Sequence, residues 1–191
     1  MRRWLLVLLL AAGCGQADKP YTPRQAAAPP AASEEAGATP TPTVETVRLG
    51  PELSVGIDWP AGADLALLKG FTDLYLDSWR AVQTGDDGYL DRVEGAAAAE
   101  AHAWVRGFRG AKVRGQARLY ALNVRAVVGD GAEVGACVDE SGLRLLSRTG
   151  RELARQPAWT RGPYLQAVVL RRDDDGGWRV KDFRHDLKGC A

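Results

Sequence analysis

The sequence predicts an α+β domain, and three observations carry that prediction. Apolar residues recur at helical spacing over residues 64–84 and again over 96–108. After Gly115 the apolar period changes from helix-like to two. Tight-turn signals, Gly129-Asp130-Gly131 and Asp173 to Gly177, separate the alternating runs. Helices first and hairpin-joined strands after place the helices on one face of an antiparallel sheet of four to six strands.

The chain opens with Met-Arg-Arg, an apolar run from Trp4 to Ala12, then Gly13-Cys14. That run is far shorter than the ~20 residues a membrane-spanning helix needs, so residues 1–13 read as a secretion signal peptide. Ala11-Ala12-Gly13-Cys14 looks like a bacterial lipobox, in which Cys14 is acylated and becomes the new N-terminus. An ordinary signal peptide with a leftover cysteine is the plain alternative. Residues 14–46 then read as a disordered linker rich in Pro, Ala and Thr, with too few apolar side chains to repay the entropy of ordering. Thr39, Thr41 and Thr43 could carry glycans there, or the linker is unmodified.

The domain proper spans residues 47–191. Leu53, Val55, Ile57 and Trp59 alternate and read as a short edge strand. Asp64 is a good N-cap and Gly85 a good C-terminal stop for a helix bearing Leu67, Leu68, Phe71, Leu74, Tyr75, Trp79 and Val82 on one side. Gly70 inside it costs about 1 kcal/mol relative to alanine, either tolerated or permitting a close backbone approach. Tyr89 to Val93 reads as one helical turn, and Ala96 to Phe108 as an alanine-rich helix carrying His102 and Trp104. The strands expected after it are 117–128, 132–139, 143–147, 164–172 and 178–185, with a basic irregular loop over 149–162.

Composition excludes several functions. The formal charge is +1; removal of Arg2 and Arg3 leaves 23 basic against 24 acidic side chains, hence −1, which is no footprint for nucleic acid. Of the three cysteines, Cys14 is assigned to lipid, which leaves Cys137 and Cys190 as an even pair suited to a disulfide in an oxidising compartment. Such a bond is worth up to roughly 4 kcal/mol by loop entropy. Two histidines at no ligand spacing argue against zinc, and Asp173-Asp174-Asp175-Gly176 lacks the later Glu of a calcium loop. No metal or cofactor is expected.

From about Ala63 to Cys190 the chain resembles the NTF2-like (SnoaL-like, cone-shaped) domains of lipoproteins from high-GC Gram-positive bacteria. The residues that carry this are Phe71 through Trp79 with Thr84-Gly85-Asp86, then Ala136-Cys137-Val138-Asp139, Gly162-Pro163-Tyr164, and Asp175-Gly176-Gly177-Trp178-Arg179-Val180 with the late Cys190. The resemblance implies a long first helix lying in a strongly curved sheet, with a pocket at the open end. Isomerases, dehydratases and non-catalytic members share that fold, so it does not choose a function.

An enzyme would need an acid or base facing the hollow. His102, Asp139 and His185 are the candidates, with Tyr75 or Tyr120 as donors. His102 reads as a helix-surface residue and Asp139 as strand-end punctuation before a Glu-Ser-Gly turn. If Trp178 and Val180 point inward, His185 points outward unless a bulge intervenes. Phe71, Tyr75, Trp79, Trp104, Tyr120 and Trp178 are candidates for lining the pocket, although tryptophans at such positions also serve a core. Arg144, Arg148, Arg151, Arg155 and Arg161 either solvate a loop or face anionic envelope material. The expected function is a non-catalytic binding or scaffolding module, lipid-anchored outside the cytoplasm, whose partners are the membrane and a cell-envelope protein or cell-wall component. The alternative is a small-molecule carrier or an isomerase or dehydratase that uses the pocket.

Overall fold

The computed structural model describes residues 41–147 and 149–190. The expected signal peptide over residues 1–13, Cys14, most of the stretch read as linker and Arg148 lie outside the described residues. The order of elements is β1 (Thr43–Arg48), β2 (Leu53–Trp59), α1 (Leu65–Thr84), α2 (Gly95–Phe108), β3 (Lys112–Val128), β4 (Gly131–Asp139), β5 (Leu143–Leu146), β6 (Tyr164–Arg172) and β7 (Trp178–Asp186). Short 3-10 turns cover Gly88–Arg92 and Ala158–Arg161. Among the described residues no helix is long and apolar enough to cross a membrane.

The α+β class holds: among the described residues a curved open sheet of seven strands is ordered β1-β2-β3-β4-β6-β7, with β5 paired to the start of β3. Four expectations are corrected. The sheet has seven strands because β1 begins at Thr43, inside the stretch read as linker, and pairs antiparallel with β2. Strand β2 is therefore interior rather than an edge. The sheet is mixed, since β2 and β3 run parallel. Both helices lie between these two strands in sequence, and such a crossover returns the chain in the same direction. Finally, β3 starts at Lys112, before Gly115 rather than after it. Gly115 has φ +112°, and a Cβ there would stand 2.1 Å from the Gly142 carbonyl oxygen. Glycine marks a close approach inside a strand here, not a boundary.

Helix α1 forms as its caps dictate. The Asp64 carboxylate accepts from the N–H groups of Ala66 and Leu67, and Gly85 closes the helix in the left-handed conformation. Its apolar side buries Leu68, Phe71, Trp79 and Val82 in one core cluster with Val55 and Ile57 of β2, Leu119 of β3 and Val134 and Val138 of β4. A Cβ on Gly70 would lie 3.4 Å from Leu170 Cδ1, so the helix backbone comes close to β6. Helix α2 packs through Ala97, Ala101 and Val105 on α1 and β7.

Three irregularities bend the strands. Register shifts interrupt β3–β4 pairing between Tyr120 and Asn123, where Ala121 has φ +51°, and again between Val124 and Ala126. A third separates Val169 from Leu170 in the β6–β7 ladder. Such bulges increase local twist and re-aim side chains. Cys137 on β4 is joined by a disulfide to Cys190, which ties the C-terminal residues to the sheet.

Candidate functional site

The site is built around a carboxylate that periodicity alone would have placed. Val134, Ala136 and Val138 of β4 point into the core, and one more step of two brings Glu140 to the same face, where it is 2% exposed. Residues 140–142 do not form a hairpin. Asp139 pairs with Arg118 and Leu143 with Gly115, so β4 and β5 run along the same side of β3 with this short turn between them. The Glu-Ser-Gly turn is thus an interruption in one line of strand, and it directs Glu140 inward.

Three neutral donors meet Glu140. From α1, the Tyr75 hydroxyl donates to Oε1 at 2.6 Å and the Trp79 indole N–H donates to the same oxygen at 3.2 Å. From the first residue of β6, the Tyr164 hydroxyl donates to Oε2 at 2.9 Å. Tyr75 and Trp79 are one helical turn apart, which is why both polar tips reach one acceptor. Burial raises the Glu140 carboxyl to about 7, and the three donors, which favour the charged form, keep it from rising further. Burial, and then the neighbouring carboxylate, push the Tyr75 and Tyr164 phenols well above their usual range, so both remain donors.

Glu140 lies on the wall of a cavity of about 450 Å³, bounded by α1, α2, the Ala158–Arg161 turn, β6 and β7. Trp79, Trp104 and Trp159 pack on one another with ring centroids 5.2, 5.8 and 5.6 Å apart, and Phe108 packs tilted against Trp104 at 4.5 Å. The volume and the aromatic lining suit a small organic molecule. Trp79 finds an acceptor for its indole, as a buried tryptophan should, whereas the buried Trp104 N–H has none among the described residues. Leaving it unpaired costs about 1–3 kcal/mol.

His185 reaches the cavity mouth, and the reason is the bulge that the alternation argument required. Leu170 pairs with Val180 but Val169 pairs with Asp182, so Lys181 is an extra residue. Val180 points inward before it; Phe183 packs on the core and His185 lines the cavity after it. The His185 ring stacks on Phe183, and its Nδ1 lies 3.3 Å from Glu100 Oε1 on α2.

Of the six residues expected to line a pocket, Tyr75, Trp79 and Trp104 do so. Phe71, 1% exposed, lies in the core instead. Tyr120 lies on the outer face of the sheet under the Arg118 guanidinium, because its strand neighbours Leu119 and Leu122 take the inward positions. Trp178 lines a separate hollow of about 300 Å³ with Gly70 and Lys69, and Arg172 lies over its ring. His102 is exposed, and the Asp139 carboxylate accepts from the Ser141 N–H as a turn residue. Arg144 bonds the carbonyls of Ser141 and Leu143 and pairs with Glu152, while Arg151, Arg155 and Arg161 are exposed. Among the described residues no group of three or more His, Cys, Asp or Glu side chains is arranged to hold a metal ion.

No protein-family model matches the sequence, and no curated protein matches it. Similar solved structures exist at low identity. One is described as an aromatic ring hydroxylase from Novosphingobium aromaticivorans, at 17% identity and TM-score 0.44, covering 63% of this chain and 88% of that one. Another is Aln2 from a Streptomyces species, at 16% identity and TM-score 0.43, with 63% and 90% covered. A third, described as a ketosteroid isomerase from Shewanella frigidimarina, matches at 12% identity and TM-score 0.35, with 61% and 94% covered. What the cavity can do is argued from this chain's own residues.

Proposed function

We propose that this chain is a small-molecule-binding module of the NTF2-like type, held by a lipidated Cys14 at the outer face of a cell membrane. The observation that carries the binding role is the aromatic cavity with the Glu140 carboxyl in its wall. A pure scaffold would fill the hollow of its sheet. Here Phe71 and Trp79 fill the deep part, and a volume of about 450 Å³ remains beside them. The sequence of residues 1–14 and the Cys137–Cys190 bond support the location, since disulfides persist outside the reducing cytosol.

A second reading has its own observation. A carboxyl raised to about 7 beside two tyrosine hydroxyls is poised to exchange a proton with a bound molecule, as an isomerase or dehydratase requires. Native mass spectrometry of the full chain tests the binding role. Wild type should retain a small molecule that Ser78→Phe, which places a ring in the cavity, cannot hold. Whether an added ligand is recovered unchanged or rearranged separates carrier from enzyme.

A further inference from the structure

We infer that the cavity takes an organic cation, a protonated amine on an apolar body, with Glu140 as its counter-charge. This rests on the small-molecule reading above and gives it a ligand class. The lining argues for it first. Among the described residues no Lys or Arg faces the cavity, although the chain contains 25 of them. Its ionisable acids and bases are Glu140 in the wall, Glu100 and His185 at the mouth, and the phenols of Tyr75, Tyr89 and Tyr164. Asp139, next in sequence to Glu140, adds negative potential. A buried carboxylate ordinarily has a cationic partner; among the described residues this one meets uncharged donors alone.

The geometry leaves room for the missing partner. Oε1 accepts two hydrogen bonds but Oε2 accepts one, so an ammonium N–H can take the remaining position on Oε2. Around it stand Trp79, Trp104, Trp159 and Phe108, whose π-systems attract a cation as well as covering its apolar body. An anionic ligand would meet two carboxylates and no fixed cation. Because burial holds the Glu140 carboxyl at about 7, its charge is available above that pH and lost below it.

The test uses three probes of similar shape and different charge: phenethylamine, phenethyl alcohol and phenylacetate. Each is titrated into the full chain, with tryptophan fluorescence as readout, at about pH 8.5 and about pH 5.5, on either side of the Glu140 midpoint. The amine should bind at least about 10-fold more tightly than the alcohol at the higher pH, with the ratio falling towards one at the lower pH. Glu140→Gln should abolish the preference at both, its fold checked by near-ultraviolet circular dichroism; the wild-type pH comparison does not depend on that variant. Equal binding of amine and alcohol at the higher pH, or tightest binding of phenylacetate, overturns the cation assignment and leaves the small-molecule site standing. A pH-dependent preference that persists in Glu140→Gln overturns the role given to Glu140. Failure of all three probes to bind sinks both readings.

Discussion

Glu140→Gln should stabilise the protein at neutral and alkaline pH, and the size of the effect follows from the burial of the carboxyl. In the folded state the group titrates at about 7 against 4.5 when unperturbed. Over that interval the folded protein holds a proton that the unfolded chain has released, so stability falls as pH rises. At about 1.4 kcal/mol per pH unit, the loss from pH 4.5 to about 7 comes to about 3 kcal/mol. Glutamine fits the same hydrogen-bond set: its amide oxygen accepts from Tyr75 and Trp79, and its amide N–H donates to the Tyr164 hydroxyl oxygen. Urea unfolding followed by tryptophan fluorescence at a series of pH values gives both stabilities. Wild type and variant should be nearly equal around pH 4.5 and diverge above it, the variant becoming the more stable by about 3 kcal/mol at alkaline pH. The groups common to both proteins, including the Glu94–Lys181 and Asp173–Arg179 pairs, cancel in the difference. A difference that does not change with pH would refute the raised Glu140 and the reasoning built on it.

Two further predictions concern the anchor and the disulfide. Replacing both Cys137 and Cys190 by serine, or reducing their bond, should cost up to roughly 4 kcal/mol in the same unfolding assay, and an unchanged midpoint would contradict a bond that closes the 53-residue separation. Cys14→Ala should move the protein from the membrane fraction to the soluble fraction and remove the acyl mass from the intact protein. Unchanged fractionation would end the lipoprotein proposal.

The fold was largely readable because its elements carry strong local signals. Asp64 and Gly85 bracket α1 as caps, and the strand expected over 164–172 matches β6 to the residue. What escaped was long-range. That β2 lies inside the sheet depends on β1, whose exposed Thr-Val-Glu-Thr carries little apolar pattern. The start of β3 was hidden because Gly115 reads locally as a break, while its reason, the Gly142 backbone across the ladder, is 27 positions away in sequence. Tyr75, Trp79 and Trp104 were recognisable as aromatic residues on inward helix faces. Glu140 was not, because Glu-Ser-Gly has the composition of a turn and a carboxylate is seldom fully buried. The signal that would have found it is the parity of Val134, Ala136 and Val138 carried one step further. His185 turned on Lys181, and a single extra residue in a strand leaves no mark in composition.

Native mass spectrometry of the full chain, wild type beside Ser78→Phe, tests the central claim most directly, because it asks whether the cavity holds a molecule at all. Wild type should carry a discrete small-molecule adduct that is absent from Ser78→Phe, with the two proteins otherwise alike in fold. An adduct of equal abundance on both proteins, or none on wild type after incubation with each of phenethylamine, phenethyl alcohol and phenylacetate, would contradict that claim.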